Sequence, residues 1–378
     1  MLKGCIDPIA VDLFCGAGGL SKGLINSGIK VKCAVEIDKT AASTYTNNIG
    51  DIVIVDDIRN VKSESILERI NINKGELFLL AGCPPCQTFS SLQKHKKDND
   101  ERDELVFEFV RIVNEIEPMF VLMENVPGMS RGRGKEIFRK AVDKLNEKYH
   151  TYNTIVNCAD YGVPQQRKRL VLHAIRKDIF CEYFEGKDNY ELNFPAKTHT
   201  DNKDKHPELL EWKTASVIRG LPPIKAGEKC DESTGIFNHE TNNLSEKNIE
   251  RIQYIRANGG SRSCLPERLR LECHSKENVG YSGVYGIMKY EEPSPTITGG
   301  CICYSKGRFG HPEQDRAISV REAARLQTFG DDFRFFGSRG QTALQVGNAV
   351  PPLLAEVSGR YFLKFLNYIN SEIQSDTF

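Results

Sequence analysis

The residues that could do chemistry fall into three groups. The loop GCPPCQTFSS carries Cys83 and Cys86 with Pro84 and Pro85 between them. A C-x-x-C pair can belong to a zinc site, to a redox couple, to two thiols packed in a loop, or to one nucleophilic thiolate. Zinc calls for four ligands, and no second close cysteine pair with suitable histidines accompanies this one; Cys301 and Cys303 form a C-x-C far along the chain. A thioredoxin-like couple places its first cysteine at a helix start, whereas two prolines stiffen an irregular loop here. Among the functional readings a nucleophile is favoured, and Cys86, after the rigid Pro84–Pro85, is the candidate. The second group is Glu124–Asn125, which end the apolar run MFVLM. An acid there could exchange a proton with a ring nitrogen or accept from an exocyclic amine. The third is QQRKR at 165–169, which puts three cations before a strand. Strand alternation would set Arg167 and Arg169 on one side, and guanidinium forks suit a phosphate or a carboxylate such as Glu124.

A fourth constellation reads as a cofactor cradle. The turn CGAGG follows the strand-like IAVDLF and opens a helix that stops at Gly28. Glu36 ends the next strand, at the distance where an acid can accept from two ribose hydroxyls. Asp57 ends the one after and could accept from an adenine amine. The glycine spacing lacks the dinucleotide pattern, which argues for an adenosine-containing ligand without a pyrophosphate.

These groups need a scaffold that lines up strand ends. IAVDLF, VKCAVEI, IVIV, ELFLLA, MFVLM and RLVLHAI read as strands, and 102–116 as a helix with Leu105, Phe109, Ile112 and Ile116 on one face. Such alternation over about 175 residues predicts a mostly parallel, doubly wound α/β sheet, with ligands at the carboxyl ends of its strands. The texture changes after Phe180. Residues 181–232 hold 11 acidic and 8 basic residues, whereas 251–308 hold 9 Lys/Arg against 5 Glu, with Tyr281, Tyr285, Tyr290 and Tyr304 interleaved. The expected organisation is a catalytic and cofactor-binding domain at 1–180, a loop-rich second domain at 181–315 with a basic, tyrosine-bearing side, and a hinge and returning segment at 316–378. In that last part SVREAARLQTF begins with a Ser319–Glu322 capping box, and Leu353, Val357, Tyr361 and Leu366 form a stripe expected to pack on the first domain.

With 378 residues, 39% hydrophobic and 27% charged, the chain is no disordered polymer. It has no run near the ~18 apolar residues of a membrane span, and its start lacks the pattern of a secretory signal. Twelve cysteines, several inside apolar runs, suit a reducing compartment. The 51 basic and 51 acidic residues cancel, so any polyanion would have to meet one basic face.

In order along the chain, VDLFCGAGGLSKG, Glu36, Asp57, GCPPCQTFS, ENVPG, QQRKR, RAISVREAARLQTFGD and GQTALQVGNAVPP closely resemble the motifs of the C5-cytosine DNA methyltransferases of bacterial restriction–modification systems. The resemblance implies a Rossmann-like S-adenosylmethionine-dependent methyltransferase sheet with a smaller, loop-rich target-recognition domain. It makes Cys86 the nucleophile, Glu124 the acid that contacts cytosine N3 and N4, and Arg167 and Arg169 the arginines that hold the glutamate and the base or its phosphate. Phe14, Gly16, Gly18, Gly19, Leu20, Glu36, Ile37, Asp57, Ile58, Pro85, Leu105, Asn348 and Val350 match cofactor-contacting positions. Ile37 stands where some relatives carry an aromatic residue, so adenine would rest on an aliphatic surface. Thr296, in EEPSPTITGG, matches the threonine that ends the target-recognition region.

The expected reaction adds a Cys86 thiolate to cytosine C6 so that C5 becomes enamine-like. The base must flip out of duplex DNA to be reached. The lysine-rich stretch after Cys86 is expected to close over it, with Gln87, Ser90, Lys94, Lys96 and Lys97 near the DNA. Arg262, Arg268, Arg270 and Arg308 are candidates for base or phosphate contact. Double-stranded DNA is the expected partner and S-adenosylmethionine the cofactor, with no metal. The resemblance further implies a monomer in the bacterial cytoplasm, held to the nucleoid by DNA and paired in function with an independent restriction endonuclease. Two alternatives stand beside it: an RNA (tRNA) cytosine-5 methyltransferase, whose Cys-Phe-Thr signature is absent from 230–310, and a catalytically silent DNA-binding scaffold, which would have lost Cys86 or Glu124.

Overall fold

The computed structural model describes residues 5–85, 104–187, 190–272 and 283–375. They form two compact units, one drawn from 1–157, 168–197 and 350–378, the other from 158–167 and 198–349.

The first unit is built on a seven-stranded sheet. In chain order its strands are β1 (Ile9–Leu13), β2 (Lys30–Glu36), β3 (Val53–Val55), β4 (Leu79–Gly82), β5 (Phe120–Asn125), β6 (Tyr149–Asn157) and β7 (Lys168–Arg176). Their spatial order is β3-β2-β1-β4-β5-β7-β6. The first five run parallel, and β7 lies antiparallel to both β5 and β6. The mostly parallel sheet is therefore as expected, but its far edge is a hairpin-like pair. Here β6, YHTYNTIVN, escaped the sequence reading, because half its side chains are polar and face outward. A fully buried strand such as β5 instead begins with an unbroken apolar run, FVLM, before its polar end.

Helices cover both faces: α1 (Gly19–Ser27), α2 (Lys39–Asn48), α3 (Ser63–Ile70), α4 (Leu105–Ile116), α5 (Gly132–Leu145) and α6 (Lys177–Tyr183). Val11, Leu13, Leu80 and Val121 on the sheet meet Phe109, Ile112, Val113 and Ile116 of α4 in the larger core. Cys15, Ala34, Ala42, Tyr45 and Val53 form a smaller one on the other face.

The second unit has two short paired strands, β8 (His199–Thr200) and β9 (Leu210–Glu211), and three helices, α7 (Glu246–Ala257), α8 (Val320–Leu326) and α9 (Arg339–Asn348). The rest of its described residues are turns and loops around a small core that includes Ile252, Ile255, Leu269, Ile287 and Tyr304. The Ser319–Glu322 capping box opens α8. Of the tyrosines expected on a basic surface, Tyr290 and Tyr304 are buried, and the half-buried Tyr285 packs edge-on against Tyr304 at 5.2 Å. Tyr281 lies outside the described residues.

The chain ends in α10 (Pro352–Ser375), which returns to the first unit. Its buried stripe lies one residue from the expected register, on Leu354, Ala355, Ser358, Gly359, Phe362, Phe365 and Ile369, with Leu366 shared between the two. The expected stripe followed the large apolar residues. The real one is set by small residues that let α10 come close to α1. A Cβ on Gly23 would meet the Pro352 carbonyl oxygen at 2.1 Å and the Ala355 Cβ at 2.5 Å, and one on Gly359 would meet Ser27 Oγ at 2.3 Å.

Candidate active site

The parallel strands deliver their carboxyl ends to one edge of the sheet, and the chemistry gathers there. After β1 the chain turns sharply. Phe14 takes φ +58° and Gly16 φ +53°. Gly18, at φ +96°, caps α1 in a left-handed conformation that favours glycine, and a Cβ on it would also press on the Ile49 side chain. The turn is tied to β2 by Cys15 N–H donating to the Val35 carbonyl at 3.0 Å.

Glu36 closes the arrangement. Its Oε2 accepts from Gly16 N–H and its Oε1 from Asp38 N–H, each at 2.8 Å. Burial pushes its carboxyl above the ordinary range despite those two donors. The acid is thus fixed in orientation before any ligand arrives. Next to it Ile37 is 63% exposed, and Val55, opposite Glu36 on β3, is 48% exposed. Two bare aliphatic side chains at adjacent strand ends suit a flat ring. Ile58 and Leu20 are buried beneath this edge, and Leu105 and Phe14 pack on the larger core. Asp57 is already engaged: it caps the turn after β3 and pairs with the Arg59 guanidinium at 2.6 Å, which holds its carboxyl below the ordinary range. It can accept from an amine only by giving up part of that pair.

Beyond β4 the chain enters the proline loop. Cys83 N–H donates to the Leu13 carbonyl at 3.2 Å. Its thiol is driven well above the ordinary cysteine value, first by burial and then by the charges of Glu124 and Asp12. Cys83 is therefore a protonated thiol and a poor nucleophile. Pro84 is buried and Pro85 half-buried. Cys86, Gln87, Ser90, Lys94, Lys96 and Lys97 lie outside the described residues.

Glu124 and Asn125 end β5, where β7 runs beside them in antiparallel register. Glu124 Oε1 stands 2.7 Å from Arg169 Nε, with both side chains largely buried. The approach is off the N–H axis, so that oxygen has no aligned hydrogen bond. Asn125 donates from Nδ2 to the Pro84 carbonyl at 3.0 Å and accepts from Val126 N–H at 2.8 Å.

The two arginines do different work, contrary to the expectation that they share a side. β7 begins only at Lys168, so strand alternation does not extend back to Arg167. Arg167 is buried in the second unit, donating to the carbonyls of Ile297, Gly347 and Ala349 at 2.7, 3.0 and 3.1 Å. It holds backbone in place, while Arg169 alone of the two faces the acid. Thr296 is likewise structural, donating from Oγ1 to the Gln166 carbonyl at 2.7 Å. Gln165, which the sequence reading gave no role, accepts from Ile297 N–H and donates to Gln327 Oε1, each at 2.8 Å.

Asn348 is exposed at the end of α9, and Val350 is buried in the first unit. Of the basic candidates in the second unit, Arg268 is paired with Glu250, and Arg270 donates from Nε to the Leu265 carbonyl at 2.9 Å. Arg308 is exposed and Arg262 half-buried. Asp12 is a site residue that sequence reasoning passed over, although an acid inside the apolar run IAVDLF was a visible signal. It is fully buried behind the glycine turn.

Comparison with known proteins places this geometry. Residues 10–363 match the family model of the C-5 cytosine-specific DNA methylases. The chain is similar to the Type II methylase M.HgiDII of Herpetosiphon aurantiacus, at 37% identity over 94% of this chain and 95% of that protein. It is similar to the Type II methyltransferase M1.HphI of Haemophilus parahaemolyticus, at 34% identity over 95% of this chain and 88% of that one. Among solved structures it resembles a putative DNA modification methyltransferase encoded within an E. coli prophage, with TM-score 0.67 and 27% identity over 95% of this chain and 99% of that one. A mutant DNMT2 of Spodoptera frugiperda shares the fold, with TM-score 0.60 and 18% identity over 95% of this chain and 99% of its own.

Proposed function

The chain belongs to the C-5 cytosine-specific DNA methylases, and from that premise we propose that it methylates C5 of a flipped-out cytosine within a short duplex DNA sequence, with Cys86 as nucleophile and Glu124 as its acid partner. The observation that carries this reading is the Glu124–Arg169 pair at the end of β5, beside a proline loop held by Asn125. A generic nucleotide-binding sheet has no use for such a pair.

Cytosine C5 is a weak nucleophile until a group adds at C6. The Cys86 thiolate makes that addition and places electron density on C5. A proton held between Glu124 and N3 offsets the charge that develops on the ring, and Arg169 fixes the carboxylate that shares it. Once C5 carries the methyl group, loss of the C5 proton and elimination of the Cys86 thiolate restore the ring double bond and the free enzyme. The protonated state of Cys83 supports Cys86 as the reacting cysteine of this loop. Arg167 is a positioning residue, since its guanidinium is committed to backbone carbonyls.

The cofactor we assign is S-adenosylmethionine. The residues present fit it: Glu36 is pre-oriented to accept from ribose hydroxyls, and Ile37 and Val55 offer an aliphatic surface for adenine. Gly16, Gly18, Gly19 and Phe14 form the turn that would hold the methionine end, with Asp57, Ile58, Leu20, Pro85, Leu105, Asn348 and Val350 completing the set. When bound, it supplies the electrophilic methyl group. Residues 181–315 are assigned to target recognition, with Arg262 and Arg308 as the candidates left for DNA, and the stretch from Gln87 to Lys97 to closure over the flipped base. We assign a monomer that acts in the bacterial cytoplasm, alongside an endonuclease of the same sequence specificity.

The test is incubation with S-adenosylmethionine and unmethylated genomic DNA, followed by bisulfite sequencing. Protected cytosines within one short recurring sequence are expected. A folded, cofactor-binding preparation that protects none would refute the DNA reading and turn attention to RNA.

A further inference from the structure

Asp12 lies near the end of β1, fully buried, and has no part in the chemistry assigned above. Its Oδ2 accepts from Ser21 Oγ at 2.6 Å, and Ser21 Oγ in turn accepts from the Tyr45 hydroxyl at 2.8 Å. Three elements, β1, α1 and α2, thus meet in one donor chain behind the glycine turn. The other carboxyl oxygen, Oδ1, is buried and has no hydrogen-bond partner.

A half-satisfied buried carboxyl is unfavourable as an anion unless a cation comes near. Among the described residues the titratable groups that face it are Glu36 from β2, Cys15 from the glycine turn, Tyr45 from α2 and Cys83 from the segment after β4. Each is acidic or neutral, so the protein supplies no counter-charge from these directions. Burial raises the Asp12 carboxyl to about 7, with the Ser21 hydrogen bond pulling the other way and the Glu36 charge adding to the rise. Near neutral pH a small change in surroundings decides whether it is charged.

We propose that ionised Asp12 is the buried counter-charge by which the cofactor site prefers the sulfonium methyl donor over its uncharged thioether product, with Ser21 and Tyr45 as the donor chain that sustains the ionised form. The inference rests on the cofactor placement proposed above. The two ligands share adenine, ribose, α-ammonium and α-carboxylate, so contacts to those groups, Glu36 included, largely cancel in the ratio of their affinities. They differ by the methyl group and its positive charge. A fixed anion in a poorly screened interior acts on that difference. Methyl transfer removes the charge, so the product leaves a site that no longer complements it.

The experiment is calorimetric titration of the full chain with S-adenosylmethionine and with S-adenosylhomocysteine, between about pH 6 and about pH 8.5, a window that brackets the shifted carboxyl. In the unaltered protein the preference for the sulfonium ligand should grow with pH, by about tenfold in all. Asp12→Asn should keep the acceptor for Ser21, lower the preference and flatten its pH dependence. Ser21→Ala should move the midpoint of the rise to higher pH, since it removes a donor that favours the carboxylate. Equal losses of affinity for both ligands in Asp12→Asn, or an unmoved midpoint in Ser21→Ala, would overturn the proposal. If Asp12→Asn does not fold, the Ser21→Ala midpoint decides alone. An unaltered protein that binds neither ligand would instead overturn the cofactor placement.

Discussion

The side-chain amide of Asn125 donates to the carbonyl of Pro84 across the ends of two neighbouring strands, at 3.0 Å and out of solvent. The same side chain accepts from Val126 N–H, so both halves of the amide are committed. This contact anchors the proline loop just before Cys86 to the strand end that carries Glu124. Asn125→Ala leaves a buried carbonyl without its donor and should cost about 1–3 kcal/mol in urea unfolding. Asn125→Asp keeps the size but puts an acceptor against an acceptor. Both variants should lower kcat more than they raise the KM for DNA, because the loop is misplaced rather than the DNA surface. An unchanged kcat in both would show that the loop holds its position without Asn125.

The second prediction separates the two arginines. Arg169 faces Glu124 at 2.7 Å, so the pair should be energetically coupled. In a double-mutant cycle, Glu124→Gln and Arg169→Ala should each reduce single-turnover methylation by about 10²-fold or more, and their effects should fall well short of adding. Arg167→Ala should combine additively with Glu124→Gln, and it should lower stability by about 3 kcal/mol because it strips donors from buried carbonyls. Coupling of Arg167 rather than Arg169 to Glu124 would reverse the assignment.

These arginines mark the limit of what the sequence made legible. Glu124 could be read because β5 is buried on both faces and apolar up to it, and Glu36 and Asp57 because each follows a short apolar stretch, CAV or IVIV, so that a charge beyond it stands out. The side on which Arg167 lies depends on where β7 starts, and a shift of one residue at a strand start changes its whole environment. The register of α10 was missed for a related reason. Its buried face is set by Gly359, Ser358 and Ala355, which carry little hydrophobic signal but permit contact. Strand β6 was missed because an edge strand with a polar outer face lacks the run that exposes a central one. Two of the four tyrosines read as a DNA-facing surface, Tyr290 and Tyr304, are instead buried in the second unit, because a tyrosine ring packs in a core as readily as it lines a surface.

The crossing of α1 and α10 gives the third prediction. Gly23 lies against backbone, with the space a Cβ would need taken by the Pro352 carbonyl and the Glu356 amide nitrogen. Neither can swing aside as a flexible side chain would. Gly23→Ala should therefore destabilise by about 1–3 kcal/mol as an overpacking change, despite the better helix propensity of alanine. Gly359→Ala meets the Ser27 side chain rather than backbone, its Cβ at 2.9 Å as well as its hydroxyl, so a paired Ser27→Ala should relieve part of its cost. Equal tolerance of the two glycine variants in thermal melts would place the tight contact elsewhere.

The last prediction concerns acid. His173 is buried in the first unit among the rings of Phe194, Tyr361 and Phe362, with Nδ1 3.0 Å from the Asn193 carbonyl. Burial lowers its pKa from the ordinary 6.5 to about 4, the Asn193 contact only partly opposing this. The unfolded chain therefore takes up the proton first. The stabilisation of the neutral ring is complete above about 6.5 and is lost as pH falls toward about 4, which amounts to about 2 kcal/mol between pH 7 and pH 5. Glu322, in the second unit, is lost later. Its burial opposes ionisation, but two hydrogen bonds from Arg316 at 2.7 Å and the nearby His311 outweigh it and hold the carboxyl far below its ordinary range. Its contribution is present above the ordinary glutamate value of about 4.5 and fades only below it. The stability lost through His173 as pH falls from 7 to 5 runs against the gain from Asp12, whose raised carboxyl takes up a proton in the folded chain over the same range, so the net slope is a difference and His173 is read by substitution. In urea unfolding, His173→Gln, which cannot titrate, should lower stability at pH 7 and change the stability difference between pH 7 and pH 5 by about 2 kcal/mol relative to the unaltered protein, whereas Glu322→Gln should leave that difference as it was. An unchanged pH dependence in His173→Gln would assign the acid sensitivity to another group.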